Sequence, residues 1–132
     1  MTNSRDKEPV PLSPRQMEIM NVIWEQGKAT VAEVWEALSE RHDLARNTVL
    51  TLMTRLEEKG WLGHEDAGTA FRYFARRRRE ATLRGMVQQL VDTAFAGSAD
   101  SLVMALLEGR GVSTDEAERI RAIIAKAESS PT

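Results

Sequence analysis

The chain has 132 residues, of which 42% are hydrophobic and 29% charged, which allows one folded core and a smaller second one. It contains no cysteine, which excludes disulfides, thiolate metal sites and cysteine nucleophiles. The net charge is −2, but it is unevenly distributed: residues 46–84 hold nine basic and five acidic side chains. This basic central segment favours a polyanionic partner.

The first predicted element is a flexible arm over residues 1–11, which is polar and contains two prolines. The arm lacks the apolar centre of a signal peptide. No apolar run in the chain reaches the ~20 residues that a membrane span requires. We therefore expect a cytoplasmic protein.

Three short helices are predicted between Ser13 and Gly60. The first begins at Ser13 and the second at Thr30, because a capping box of a hydroxyl residue and a Gln or Glu three positions later stands at each start. We expect the second helix to end near His42 and the third to run over 45–59. The expected core residues are Met17, Met20, Ile23 and Trp24, then Val31, Val34, Trp35 and Leu38, then Val49, Leu52, Met53 and Leu56. This arrangement predicts a helix-turn-helix.

After Gly60 the hydrophobic period changes from that of a helix to that of strands. Residues 61–64 and 70–74 are predicted strands, joined by a turn with Asp66 and Gly68. A two-stranded hairpin is marginal alone, so we expect this one to pack on the helices as a wing at 61–74. The predicted fold class is mainly α with a small β-hairpin wing, and the predicted winged helix-turn-helix domain covers 12–75.

Further helices are predicted from Arg76 onward, with helix starts also at Ser98 and at the capping box of Ser113. They are amphipathic but too few to enclose a core, so their apolar faces are expected to form an interface. The simplest partner is a second copy related by a two-fold axis, and the alternative is packing on the first domain of the same chain. We predict a helical dimerisation region over 76–128 and a tail at 129–132. The predicted dimerisation residues are Leu83, Val87, Leu90, Val91, Phe95, Leu102, Val103, Leu106, Ile120 and Ile124.

Residues that would support catalysis or cofactor binding are sparse in this sequence. His42 and His64 are too few and too far apart for a recognisable zinc site, and no phosphate-binding glycine loop or nucleophile motif is present. We therefore predict no metal, no cofactor and no enzymatic activity.

The outward face of the third helix carries a distinctive set of polar side chains. Asn can pair with adenine, Thr with bases or phosphates, and Arg with guanine or phosphate. A solvated helix surface is the alternative, but Thr is a poor helix former and a plain surface would seldom use three of them. The predicted DNA-binding residues are Arg46, Asn47, Thr48, Thr51, Thr54, Arg55, Arg72, Arg76 and Arg77.

The segment from Leu44 to Gly60 resembles the recognition helix of the penicillinase repressor (BlaI/MecI) family. The matching elements are Thr48-Val49-Leu50-Thr51, Arg55-Leu56 and Lys59-Gly60, a wing aromatic at Tyr73, and Phe95-Ala96-Gly97-Ser98. The similarity extends from Leu12 to Ala127. It implies a winged-helix head, a helical dimerisation tail and repression through a palindromic operator that overlaps a promoter.

The resemblance also implies a membrane metallopeptidase sensor system that leads to cleavage of the repressor's tail helices. The family's Asn-Phe cleavage pair is replaced here by Ala105-Leu106, so cleavage at that point is not predicted. Copper-responsive relatives end in Cys-x-Cys motifs, which this chain lacks. The wing tip has Gly68-Thr69 in place of Gly-Arg, so we expect phosphate contacts from Arg72 or from 76–79.

The prediction is a homodimeric transcriptional repressor that binds double-stranded operator DNA. Two alternatives stay open: a winged helix used for protein contacts, and a regulator that binds an effector between its C-terminal helices.

Overall fold

A computed structural model describes residues 11–129. The predicted arm, apart from Pro11, and residues 130–132 of the predicted tail lie outside the described residues. The elements are α1 (Pro14–Gln26), β1 (Lys28–Ala29), α2 (Val31–Ser39), α3 (Arg46–Glu58), β2 (Leu62–Asp66), β3 (Phe71–Ala75), α4 (Arg79–Ala94), α5 (Ala99–Gly109) and α6 (Thr114–Ser129). The chain forms two compact units, which divide between Arg84 and Gly85.

The first two helices begin at the predicted capping boxes. At α1, the Ser13 hydroxyl accepts from the Gln16 amide at 3.2 Å, and the Gln16 side chain accepts from the Ser13 amide at 3.0 Å. Thr30 and Glu33 make the same reciprocal pair at α2, at 3.1 Å and 2.9 Å. Such pairs satisfy two amide groups that a helix start otherwise leaves without partners.

The wing belongs to a three-stranded antiparallel sheet with the order β1-β3-β2. β2 and β3 pair from Leu62 opposite Ala75 to Asp66 opposite Phe71. The Asp66 carboxylate accepts from the Gly68 amide at 3.2 Å, and Gly68 has a φ of 90°, so the predicted turn residues are confirmed. The first strand is longer than predicted, and the turn is correspondingly shorter.

The core of the first unit lies between the three helices and the sheet. Its buried side chains are Ile19, Met20, Ile23, Ala29, Val34, Leu38, Val49, Met53, Leu56, Trp61, Leu62 and Tyr73. The expected core residues Met17, Trp24, Val31, Trp35 and Leu52 are only partly buried. Ile19 takes the place expected for Met17, because Ile19, Met20 and Ile23 share the face that α1 turns inward. The helix-turn-helix with its wing confirms the predicted fold class.

Two predicted helix boundaries are wrong. α2 ends at Ser39 rather than near His42, whose amide still donates to Leu38 O at 2.9 Å. α4 starts at Arg79 rather than Arg76, because the Arg76 amide donates to Trp61 O at 2.9 Å and so continues the strand pairing.

Glu18 of α1 connects the first helix with the loop after α2. Its carboxylate accepts from Arg15 Nη1 at 2.8 Å and bonds to His42 Nε2 at 3.1 Å. Burial raises the pKa of Glu18. The two hydrogen bonds and the positive charges of Arg15 and His42 together outweigh burial and leave the pKa below its usual value.

The second unit consists of the rest of α4 together with α5 and α6. The Ser98 hydroxyl accepts from the Ser101 amide at 3.1 Å, and the Ser113 hydroxyl accepts from the Glu116 amide at 3.1 Å. The Glu116 carboxylate forms an ion pair with Arg110 Nη2 at 3.2 Å. In residues 11–129, no single helix is both long and apolar enough to cross a membrane; only α4 and α5, as a pair bent at the break between them, meet the length and composition criteria.

Candidate nucleic-acid interface

The helix α3 has one buried face and one polar exposed face. Val49, Met53 and Leu56 are fully enclosed in the core. The exposed face carries the predicted residues Asn47, Thr48, Thr51, Thr54 and Arg55. The structure therefore brings these five predicted residues together on one helix surface, where they are accessible to a partner.

Two threonines of this face are held by hydrogen bonds within α3. Thr51 Oγ1 donates to Asn47 O at 3.0 Å, and Thr54 Oγ1 donates to Leu50 O at 2.9 Å. A hydroxyl that donates to a carbonyl keeps its lone pairs available as acceptors. Both side chains therefore have defined positions and can still accept a hydrogen bond from a base.

Arg46 begins α3 and lies beside Trp35. Its guanidinium carbon is 5.3 Å from the centre of the Trp35 ring, and Trp35 Nε1 donates to Leu44 O at 2.7 Å. The preceding residue, Ala45, makes no side-chain cap to α3. An uncapped helix start next to a positioned arginine is an electropositive end suited to a phosphate.

Arg72 and Arg76 lie on a different surface from the α3 residues. Alternation along β3 places Tyr73 in the core, so Arg72 and Phe74 belong to the opposite sheet face. The Arg76 guanidinium lies 5.5 Å from the Phe74 ring centre. Gly63 makes room for it, because a Cβ there would come within 2.8 Å of Arg76 Nε. The structure thus gives Arg76 a fixed platform but does not bring it to the face of α3.

Arg77 differs from the other arginines of the run. It is half-buried, lies 5.6 Å from the Trp61 ring centre, and its carbonyl accepts from Trp24 Nε1 at 2.9 Å. Its Nε atom is buried without a hydrogen-bond partner among the described residues. Arg78 and Arg79 are exposed. Phosphate binding by Arg77 stays a prediction, and its observed contacts are those of a packing residue.

A hydrogen bond and a ring stack connect α3 to the wing. His64 Nδ1 bonds to Glu57 Oε2 at 2.7 Å, and the His64 ring stacks on Phe71 with centres 4.2 Å apart. Burial and the nearby Glu57 charge raise the pKa of Tyr73, which is also close to His64.

In residues 11–129, no group of three or more His, Asp or Glu side chains is arranged to hold a metal ion.

Sequence reasoning missed two exposed apolar residues beside this surface, Leu50 and Phe71. Leu50 is 42% exposed and Phe71 is 47% exposed. The signal for Leu50 was an apolar residue at a position that the helix period assigns to the outside. Strand alternation gave no such signal for Phe71, because Phe71 shares the face of the buried Tyr73. Arg78 was part of the predicted arginine cluster but was not among the named DNA-binding residues.

The predicted dimerisation residues lie on helices that have no enclosed side chain of their own in residues 85–129. Val87, Leu90, Val103, Leu106 and Ile124 are exposed. Leu83, Val91, Phe95, Leu102 and Ile120 are half-buried. Further exposed apolar side chains, which were not among the predicted dimerisation residues, are Met86, Met104, Leu107 and Ile123. The apolar surface is therefore larger than expected.

Comparison with known proteins identifies the family. A family model described as "Penicillinase repressor" matches residues 12–126. The methicillin resistance regulatory protein MecI of Mammaliicoccus sciuri is 26% identical over 121 residues, covering 92% of this chain and 98% of MecI. The transcriptional regulator BlaI of Mycobacterium tuberculosis is 32% identical over 119 residues, covering 89% of this chain and 85% of BlaI. Apo MarR from E. coli has a TM-score of 0.53 at 17% identity, covering 88% of this chain and 77% of MarR, which shows a common fold. The chain therefore belongs to the penicillinase repressor family.

Proposed function

We propose that this protein represses transcription as a homodimer, with α3 of each copy in the major groove of a palindromic operator. Its family supports the repressor function, since curated relatives are a penicillinase repressor and a transcriptional regulator. We infer a cytoplasmic location, since a repressor acts on DNA.

The observation that carries the proposal is the division of α3 into a buried apolar face and an exposed polar face. Asn47, Thr48 and Thr51 lie near the amino end of the helix, where residues of a recognition helix commonly reach base edges. We assign these three to base contacts and assign Arg46 and Arg55 to phosphates. The groove admits an α-helix, and each base pair presents a distinct set of donors and acceptors there.

The phosphate contacts that the α3 face cannot reach are assigned to the arginines around the wing. Arg72, Arg76, Arg78 and Arg79 are exposed, and none of them forms one of the ion pairs found in residues 11–129. Arginines that neutralise phosphates displace the cations condensed on DNA, which makes binding strongly dependent on salt.

Dimerisation through residues 76–128 is supported by the exposed apolar side chains of α4, α5 and α6. A unit without an enclosed side chain has no core to stabilise it, so these helices need apolar contacts from elsewhere. A second copy supplies an identical surface, and a two-fold axis would place two α3 helices on half-sites one helical turn, roughly 34 Å, or a multiple apart.

Release of the operator through a membrane metallopeptidase sensor is a separate part of the proposal. The family relationship supports it, whereas Ala105-Leu106 does not reproduce the family's cleavage pair. Incubation of the full chain with membranes that contain such a peptidase would test it. A fragment that ends elsewhere within the tail helices of residues 76–128 is expected, and an intact chain would exclude this route.

A binding titration tests the DNA-binding proposal directly. A duplex is first enriched from a random pool by the wild-type protein, and its affinity is then compared with that of a scrambled duplex at two salt concentrations. The specific duplex should bind at least ~10³-fold more tightly. Equal affinity for both would favour the alternative of a protein-contact module. Thermal-shift screening with small molecules examines the effector alternative.

A further inference from the structure

A single leucine interrupts the polar surface of α3. Leu50 is 42% exposed and lies one turn after Asn47 and one turn before Thr54. Its carbonyl receives the Thr54 hydroxyl at 2.9 Å. An isolated exposed leucine is ordinary in itself, so the surroundings of this side chain decide its meaning.

Leu50 has an apolar neighbour on the wing. Phe71 is 47% exposed, and the two side chains line one hollow of about 260 Å³ together with Val31, Ala32 and Tyr73. The Phe71 ring is held by its stack on His64, which is itself bonded to Glu57 of α3 at 2.7 Å. The hollow therefore has one wall on the helix and one on the wing, and the two walls are connected.

Polar and charged groups surround this apolar spot. Arg46 also lines the hollow, and its position beside Trp35 keeps a positive charge at the rim. Asn47 and Thr51 present hydrogen-bonding groups on the same helix. A partner that fits must combine negative charge, hydrogen-bonding groups and a small apolar group within one helical turn.

Duplex DNA meets these requirements at a thymine. In the major groove thymine presents its O4 acceptor beside its 5-methyl group, and phosphates border the groove. The positive charge of Arg46 at the rim also favours a polyanion over a neutral small molecule. A small-molecule effector is thus the weaker candidate.

We propose that Leu50, supported by Phe71, contacts the 5-methyl group of an operator thymine and is a specificity-determining residue. This inference rests on the proposed function, since it requires α3 in the major groove. It adds a hydrophobic contact to a surface otherwise described by hydrogen bonds.

A coupling experiment between protein and DNA tests the inference. Each thymine of the enriched duplex is replaced in turn by deoxyuridine, which removes the methyl group and keeps O4 and the base pairing. At one thymine or more per half-site, the wild-type protein should lose about three- to fourfold in Kd, the effect of withdrawing one methyl from apolar contact. Leu50→Ala should bind the unsubstituted duplex more weakly and show no further loss at that position.

Leu50→Met is the matched control, because methionine restores an apolar side chain of similar volume. Leu50→Met should again bind the deoxyuridine duplex more weakly than the unsubstituted duplex, as the wild type does. Leu50 is exposed, so all variants should keep the wild-type melting temperature, which confirms that they fold.

Two outcomes overturn the inference and leave the proposed function standing: no thymine shows a methyl effect with wild type, or Leu50→Ala keeps the full effect. A Leu50→Ala variant with unaltered affinity for DNA is a third outcome that overturns the inference. If wild type enriches no duplex at all, the proposed function fails and this inference fails with it.

Discussion

The substitution Thr51→Ala separates a base-reading role from a structural role. Thr51 is exposed on α3, and its hydroxyl donates to Asn47 O at 3.0 Å. The substitution removes that hydroxyl and one methyl group without opening a cavity. It therefore tests what the side chain presents to a partner.

The structure allows the two effects of Thr51→Ala to be estimated separately. Loss of the exposed hydrogen bond costs about 0.5–1 kcal/mol, and the better helix propensity of alanine returns up to about 0.7 kcal/mol. The free energy of unfolding should thus change by no more than about 0.5 kcal/mol. Loss of a base contact should weaken specific DNA binding by about 1–3 kcal/mol, or roughly 5- to 150-fold.

The assay is a fluorescence anisotropy titration with the enriched duplex and with a scrambled one, accompanied by thermal unfolding. Thr93→Ala is the matched control, because Thr93 is an exposed helical threonine whose hydroxyl donates to Gln89 O at 2.7 Å. It should leave both affinities unchanged. Val49→Ala, in the core behind the same helix, should instead lower stability by about 2 kcal/mol. Equal weakening of specific and scrambled binding by Thr51→Ala would refute the groove-reading assignment.

Four further substitutions address the remaining parts of the molecule. Arg78→Ala should weaken binding to every duplex and reduce the slope of log Kd against log salt by about 1, and an unchanged slope would exclude a phosphate contact. Arg77→Ala should instead lower the melting temperature by several degrees through lost packing on Trp61, with a null result in thermal unfolding counting against that role. Leu90→Asp should convert the proposed dimer to a monomer in light scattering, whereas a retained dimer mass would place the interface elsewhere. Because the pKa of Glu18 is lowered on folding, its contribution to stability is present above the unfolded value of 4.5 and is lost as pH falls through the folded pKa. The free energy of unfolding of Glu18→Gln should therefore depend less on pH below 4.5 than that of the wild type. An unchanged pH dependence in this range would contradict the role given to Glu18.

Features decided by a few neighbouring residues could be predicted from the sequence. The capping boxes at Ser13 and Thr30 depend only on a hydroxyl and a Gln or Glu three positions later, and both formed as predicted. The polar face of α3 followed from helical periodicity, and the family comparison confirmed the resemblance found in its motif. Local chemistry and residue spacing were sufficient to predict the two helix starts and the polar face of α3.

Features decided by distant contacts could not be predicted. β1 has two residues, too few to show a period, and it exists because Lys28 and Ala29 pair with Phe74 and Tyr73. The run of arginines gave no sign that Arg77 would pack on an aromatic ring while Arg78 stays exposed. Charge composition reports how many cations are present, and only the fold determines which of them face outward.

The short pairing of β1 also divides the wing into two parts with different backbone protection. At Tyr73 and Phe74 the central strand β3 has neighbours on both sides, whereas at Phe71 and Arg72 it is joined to β2 alone. Amide hydrogen exchange should accordingly quicken from the base of the hairpin to its tip. The tip would then adjust to the local width of a DNA groove while the base keeps its register against the helices.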